Sequence, residues 1–246
     1  MDSVETYSYV GDELELFQHA TRWKAYYARG LRPFIAGDVL EVGAGLGATS
    51  RFLCTGHQRS WTCLEPDPGL HRQLESSLDV NPLACPGRAL LGTVASLPSE
   101  DRFDTILYVD VLEHIEDDRS ELTGSAARLR PGGHVVVLAP AHQGLYSPFD
   151  KAVGHCRRYS KRSLLAAAPA TLRPVAAYYL DAVGMAASLA NRLLLRAFMP
   201  TYDQLMFWDR VLVPASRVID PMLAHRLGKS VVVVWTRPAS PTGPAG

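Results

Sequence analysis

The chain has only four cysteines in 246 residues. Cys54, Cys63, Cys85 and Cys156 form no Cys-x-x-Cys pair and no metal spacing with histidine, which excludes a disulfide framework and a zinc site. Free, buried thiols in a reducing, cytoplasmic setting are expected, and no metal. A charge surplus is also missing. Lys and Arg number 25 and Asp and Glu 25, so nothing in the balance argues for nucleic acid or an anionic membrane as partner. Long hydrophobic runs are absent. The richest stretch, Ala182 to Met199, is interrupted by Asn191, Arg192 and Arg196 and falls short of the roughly 18 uninterrupted apolar residues of a transmembrane segment. The opening Met1-Asp-Ser-Val-Glu5 has neither the basic region nor the apolar core of a signal peptide. Internal repeats are lacking too. These absences leave an enzyme-sized chain, 47% hydrophobic, with material for one sizeable domain or one domain with an added cap.

What is present is organised around Asp38-Val-Leu-Glu-Val-Gly-Ala-Gly-Leu-Gly-Ala48. A short apolar run reads as a buried parallel strand, turns through Gly43, Gly45 and Gly47, and enters a helix over 48–53. Glycines there let the backbone take positive φ and let a ligand approach the main chain, while the helix start offers unpaired N–H groups. Such a turn is a nucleotide-type cradle. Ahead of it, residues 11–30 read as one helix, with an Asp12/Glu15 capping box and Leu16, Ala20, Trp23 and Tyr27 at helical spacing. The first strand does not need this segment, so residues 1–34 form either a packing helix or a lid. After the turn, Trp61 to Pro66 is a second strand ending on Glu65. A carboxylate about twenty residues beyond the glycines is where a doubly wound fold meets a ribose diol.

Strands and helices then alternate. A helix bearing Leu70, Leu74 and Leu78 precedes strands at Ala89–Val94, Phe103–Val109 and Val135–Ala139. A helix through Leu122, Ala126 and Leu129 separates the last two, followed by a tight turn at Arg130-Pro-Gly-Gly133. The alternation predicts an α/β fold, a doubly wound and mostly parallel sheet with its ligand at the carboxyl ends of the strands. Beyond come a long polar and aromatic loop from Pro140 to Tyr159, a helix over 161–168, a strand at 176–180, a helical insertion over 181–228 and a last strand at 230–235, seven strands in all. One domain, residues 1–237, holds these elements. The Pro/Ser/Gly-rich tail 238–246 is expected to be disordered.

The glycine pattern alone fits two cofactors. It reads as G-x-G-x-x-A, a dinucleotide variant, or as Glu-x-Gly-x-Gly-x-Gly from Glu41 to Gly47. Its surroundings decide. Leu40-Glu-Val-Gly-Ala-Gly-Leu-Gly47, Glu65-Pro-Asp67, Phe103-Asp104 through Val111-Leu-Glu-His-Ile115, and Leu129-Arg-Pro-Gly-Gly133 follow one another in the order found in class I S-adenosylmethionine-dependent methyltransferases. The chain resembles that superfamily over residues 36–140, and within it the bacterial branch that includes ubiquinone-type enzymes. It also resembles bacterial members carrying the pattern seen here as Pro140-Ala-His142, Leu145 to Asp150 and Gly154-His-Cys-Arg-Arg-Tyr159. The resemblance implies a Rossmann-like methyltransferase fold with S-adenosylmethionine as cofactor. It assigns Glu41 and the turn Gly43, Ala44, Gly45 and Gly47 to the methionine end, Glu65 to the ribose hydroxyls and Pro66 to the adenosine. Thr93 and Val94 fall against adenine, although the Asp that many relatives carry there is absent. Asp110 and Val111 fall under the sulfonium, facing the acceptor.

Methyl transfer from a sulfonium is an in-line displacement, and positioning alone supplies roughly 7–11 kcal/mol. Where a proton must be removed, His155, His142 and His114 have the right chemistry, each with a hydrogen-bonded structural role as its alternative. Asp110 and Tyr159 stand beside His155 as catalytic candidates. Arg157, Arg158 and Tyr159 either bind an acceptor carboxylate or phosphate or tie the loop to Asp150. Trp23, Tyr27, His114, His142, Tyr146 and Arg158 are the expected acceptor-binding residues, with Phe149 beside Tyr146. The insertion can serve as a buried cap, a homodimer face or a lipid contact. Three functions stay open: methylation of a small-molecule oxygen or nitrogen, cyclisation of the cofactor itself to a cyclic amino acid with release of methylthioadenosine, and cofactor binding without catalysis.

Overall fold

The computed structural model describes residues 13–194 and 201–239, with backbone alone for residue 13 and residues 191–194. The expected capping residue Asp12, Arg196 and most of the tail lie outside the described residues. Seven strands form one sheet: β1 (Asp38–Val42), β2 (Ser60–Glu65), β3 (Gly87–Leu91), β4 (Phe103–Val109), β5 (Leu129–Pro140), β6 (Arg173–Leu180) and β7 (Ser230–Thr236). Their order is β3-β2-β1-β4-β5-β7-β6. The first five are parallel, and β7 inserts antiparallel between β5 and β6. This is the doubly wound, mostly parallel architecture expected, with an antiparallel edge.

The strands are apolar on both faces because helices cover both. Alternate residues serve opposite cores. Leu40, Ile106, Val135 and Val233 pack with Leu122 and Ala126 of α5 (Asp118–Arg128) and Leu164 of α7 (Lys161–Ala167). Val39, Leu107, Val136 and Val232 face Trp23, Tyr27 and Leu31 of α2 (Thr21–Leu31). Each buried side chain of this size contributes about 1.5–3 kcal/mol. Helices α3 (Ala48–Leu53) and α4 (Pro68–Val80) complete the first half. The loop after β5 holds the short α6 (Pro148–Ala152). The insertion holds α8 (Ala182–Leu194), α9 (Tyr202–Phe207) and α10 (Val213–Met222), with a wide turn at Trp208–Leu212. No described helix is long and apolar enough to cross a membrane.

Several boundaries differ from those read in the sequence. The single helix over 11–30 is two, α1 (Glu13–Phe17) and α2. The break has a tertiary cause. Asp209, from the insertion, accepts hydrogen bonds from the backbone N–H of Arg22 (3.2 Å) and Trp23 (2.8 Å), capping α2 from 186 residues away. Lys24 Nζ donates to Phe17 O (2.6 Å), satisfying the end of α1. The third strand begins and ends earlier than expected, and Val94 enters a short 3₁₀ turn. The turn at 130–133 is absorbed into β5, where Gly132 N–H donates to Arg237 O (2.7 Å). Of the four thiols, Cys54, Cys63 and Cys85 are buried, but Cys156 is exposed.

Candidate active site

The strand order reverses beside β1, and that switch point opens the crevice in which doubly wound sheets bind ligands. A cavity of about 220 Å³ lies there and extends over the ends of β4, β5 and β7, with Gly43–Leu46, Asp110, Pro140 and Lys229 among its walls. The glycine turn forms one wall. Gly43 N–H and Ala44 N–H both donate to Leu64 O (2.8 and 3.1 Å), folding the chain over the end of β2. Gly43 has φ 65°, and a Cβ there would stand 2.7 Å from Val111 Cγ2. Only glycine lets the loop after β4 close on the turn. Val111 therefore packs against the turn and is not among the cavity walls.

Glu65, at the end of β2, accepts from Gly45 N–H (2.8 Å) and Asp67 N–H (3.0 Å). Burial raises its pKa against those two bonds. Glu41 is placed differently from its expected role. Its Oε2 accepts from Ser50 Oγ (2.5 Å) and Trp61 Nε1 (2.8 Å), and its carboxyl is 2% exposed. Glu41 holds α3 and β2 together from behind the turn, and burial pushes its pKa up to about 7. Thr93 and Val94 also stand outside the cavity: Thr93 caps the following 3₁₀ turn and Val94 is in the core. Pro66 is half-buried just past β2 and is not among the cavity walls.

Helix α2 forms the opposite wall with Trp23, Lys24 and Tyr27. Trp23 and Tyr27 pack edge to face at 5.5 Å, and Tyr27 Oη bonds Thr49 Oγ1 of α3 (3.1 Å). That contact sets Tyr27 beside the glycine turn, while Trp23 also meets Trp208 at 5.6 Å. Lys24 is buried, which lowers its pKa to about 8, with Asp110 and Asp209 pulling it back up. Asp110 leaves β4 at φ 54°, held by its N–H to Leu138 O (2.9 Å), and its exposed surface faces the cavity. Burial raises its pKa to about 6, opposed by His155, Lys24, Lys229 and Arg158.

The loop from Pro140 to Tyr159 closes the far end, and its organiser is Asp150. This fully buried carboxylate accepts from Ser147 N–H (2.8 Å) and Oγ (2.9 Å), and from Arg158 Nε (2.7 Å) and Nη2 (3.0 Å). Its Oδ1 also meets His155 Nδ1 at 2.8 Å. Burial pushes its pKa up, but hydrogen bonds from His155 and Arg158 outweigh that and hold it well below the usual carboxylate range. An ionised Asp150 can only accept, so His155 carries a proton on Nδ1, and its Nε2 lies at the cavity wall 3.8 Å from Glu113 Oε1. Of the two roles open for Arg158, the tie to Asp150 is the one formed, although the guanidinium still lines the cavity.

His114 lines the cavity edge to face with His155 at 4.7 Å, and burial lowers its pKa to about 4. Glu113 beside it is fully buried, with no hydrogen bond from a described residue to either carboxylate oxygen, and burial raises its pKa well above normal. Glu113, His114 and His155 bring three donor atoms within 4.8 Å of one another, a grouping that the sequence spacing does not reveal. Three expected residues are elsewhere. His142 stacks on Tyr179 at 4.9 Å, outside the cavity walls. Tyr146 Oη donates to His155 O (2.7 Å), supporting the loop from outside. Tyr159 is 2% exposed, its hydroxyl committed to Asp118 Oδ2 (2.8 Å) and Leu112 O (3.2 Å). That hydroxyl anchors the loop to the core and has no path to a substrate.

Lys24, Phe17, Trp208 and Lys229 also line the cavity and were not expected there. Trp208 is set by Asp181, one of three buried aspartates of the insertion region. Asp181 accepts from Trp208 Nε1 (2.7 Å) and Ser216 Oγ (2.6 Å). Asp220 accepts from Tyr26 Oη (2.7 Å) and from Asp181 N–H (2.7 Å), while Asp209 caps α2. The insertion and the N-terminal helices are bolted together above the sheet, so both cover the cavity.

Comparison with known proteins agrees with this geometry. A family model described as a methyltransferase domain matches residues 17–170. The chain therefore belongs to the methyltransferase-domain family. A ubiquinone biosynthesis O-methyltransferase from Paramagnetospirillum magneticum is 29% identical over 103 residues, spanning 42% of this chain and 40% of that protein. Among solved structures, the N-methyltransferase NodS of Bradyrhizobium japonicum, in complex with S-adenosylhomocysteine, has TM-score 0.57 at 14% identity, covering 89% of this chain and 88% of its own. The [4+2]-cyclase SpnF has TM-score 0.58 at 15% identity, covering 89% and 81%. These two likenesses concern the fold.

The chain carries a methyltransferase domain, and S-adenosylmethionine is the donor that the resemblance read in the sequence implies. The cavity walls suit that donor. Trp23, Tyr27 and the Asp110 carboxylate offer aromatic faces and negative charge to a sulfonium and an ammonium, and Lys24 offers a cation to the methionine carboxylate. Glu65 stands next to the turn but is 4% exposed and not among the cavity walls, and each of its oxygens already accepts a backbone N–H.

Proposed function

We propose that the protein methylates a hydroxyl oxygen of a small molecule in a biosynthetic pathway, with His155 as general base. The bound donor supplies a methyl group already activated on sulfur. The chain's own residues have three tasks. The glycine turn, Glu65 and α2 hold the donor. Asp110 places negative charge at its cationic end. His155, oriented by Asp150, takes the proton from the incoming hydroxyl on Nε2.

The Asp150–His155 pair carries this reading. An amine attacks in its neutral form and needs little help, whereas a hydroxyl must lose a proton as it attacks. A carboxylate that fixes the tautomer and sets Nε2 at the cavity wall suits the second case. The O-methyltransferase relative supports it independently. Arg158 and His155 converge on Asp150, and Tyr159 anchors the end of the loop.

Incubation with S-adenosylmethionine and a library of phenols and alcohols, followed by mass spectrometry, tests the reading. Acceptor-dependent S-adenosylhomocysteine and an O-methylated product are expected. His155→Ala is expected to lower turnover roughly 10²–10⁴-fold with donor affinity unchanged. Methylthioadenosine and a cyclised amino acid formed without acceptor would establish cofactor cyclisation instead. N-methylated products alone would remove the base from the account.

A further inference from the structure

We infer that the acceptor carries an anionic oxygen group, a carboxylate or phosphoryl, seated on Lys229 on the face of the cavity away from the donor. This inference rests on the reading of the cavity as a methyltransferase site.

Lys229 lines the cavity, and its ammonium makes no hydrogen bond or ion pair with any described residue. Its ammonium lies over the face of Trp208, 4.8 Å from Nζ to the ring centroid. Asp181, Asp110 and Asp150 influence it at longer range only, and burial lowers its pKa. A half-buried ammonium without an acceptor is costly unless a ligand supplies one. Lys24, by contrast, already donates to Phe17 O.

The backbone holds Lys229 in place for such a role. Lys229 N–H donates to Asp181 O (3.0 Å) and its carbonyl accepts from Ala141 N–H (2.8 Å). At Gly228, a Cβ would overlap the Leu180 carbonyl, so the approach to Lys229 is fixed by close packing. Trp208, fixed by Asp181, adds an aromatic face that supports the ammonium and closes the pocket.

Sheet topology distinguishes this anion from the donor's own carboxylate. Ser230 pairs with Pro140 at the carboxyl end of β5, so Lys229 stands beyond β5. In the order β1-β4-β5-β7, Lys229 is three strand positions from the glycine turn, roughly 14 Å at the usual spacing. The methionine end of the donor belongs over β1 and β4. Asp110, at the end of β4, lies between the turn and Lys229, and His155 lines the same cavity, where the reacting oxygen belongs. An acceptor with its hydroxyl there and its anion on Lys229 spans the remainder of the cavity between Phe149 and Trp208.

The test uses protein loaded with S-adenosylhomocysteine and three probes of similar shape: 4-hydroxybenzoate, 4-hydroxyphenyl phosphate and uncharged 4-hydroxybenzamide. Calorimetry is run on the wild type, Lys229→Met and Lys229→Arg. One or both anions are expected to bind the wild type roughly ten- to a hundredfold tighter than the amide, a preference lost in Lys229→Met and retained in Lys229→Arg. The preferred anion tells carboxylate from phosphoryl. Equal affinities for all three probes, no anion binding at all, or a preference that survives in Lys229→Met overturns the inference. Failure of S-adenosylhomocysteine itself to bind overturns the underlying site instead.

Discussion

Replacing Asp150 by asparagine separates the organisation of the acceptor loop from its shape. The carboxylate receives five hydrogen bonds, from Ser147 N–H and Oγ, Arg158 Nε and Nη2, and His155 Nδ1. An amide of the same size has one oxygen and one NH₂, so its nitrogen must face donors on one side. The Arg158 side chain is 8% exposed and has no other carboxylate partner. Breaking one member of a buried ion pair costs about 3–5 kcal/mol because the other charge stays buried. For a chain of this size that corresponds to a melting temperature roughly 6–20 °C lower. Urea unfolding of both proteins at pH 7 measures the difference. The pH dependence has a definite sign. Asp150 has a folded-state pKa below its unfolded value, so its stabilisation is present above about pH 4 and is lost as pH falls through the folded value. The gap between the two proteins should narrow in acid. Nitrogen NMR of His155 should show the Nδ1–H tautomer in the wild type and a mixture in the variant. A gap under about 1 kcal/mol that is independent of pH, with the His155 tautomer unchanged, refutes this account of the loop.

Two further substitutions discriminate anchoring from chemistry. Tyr159→Phe removes the hydroxyl bonded to Asp118 and Leu112 and should cost about 1–3 kcal/mol in urea unfolding while turnover of the folded enzyme stays near wild type; a selective loss of turnover would restore Tyr159 to the catalytic set. Glu41 has a folded pKa of about 7, above its unfolded value, so the folded state holds the proton longer and stability falls as pH rises from about 4.5 to 7. Glu41→Gln keeps one oxygen for Ser50 and Trp61 and should remove that decline, worth about 2–3 kcal/mol, as read from unfolding free energies at pH 5 and pH 8.

The sheet and the glycine turn were readable because their signals are local. Alternating apolar strands and helices define the parallel sheet, and glycines must occur where the backbone turns with positive φ against Val111. The spacing from the glycines to Glu65 reflects one β-α-β unit, and Gly45 N–H does meet Glu65. The acceptor half depends on contacts remote in sequence. The cap of α2 is Asp209, and the support of Trp208 is Asp181, neither of which follows from neighbours. Lys229 sits in Gly-Lys-Ser, which reads as an exposed turn until β7 is found antiparallel with its start at the ligand end of the sheet. Tyr159 and Glu41 have reactive side chains at motif positions, yet the fold commits both to buried hydrogen bonds. A motif gives the residue's place along a strand or loop; the direction of its side chain comes from packing.

The most direct test of the central claim is calorimetric titration of S-adenosylhomocysteine into wild-type protein and Glu65→Gln. One molecule per chain is expected to bind the wild type. Binding should be roughly ten- to a hundredfold weaker in the variant, because a charged acceptor for the ribose hydroxyls is lost. Absence of binding to the wild type, or equal affinity in the two proteins, would contradict the placement of the donor between the glycine turn and Glu65.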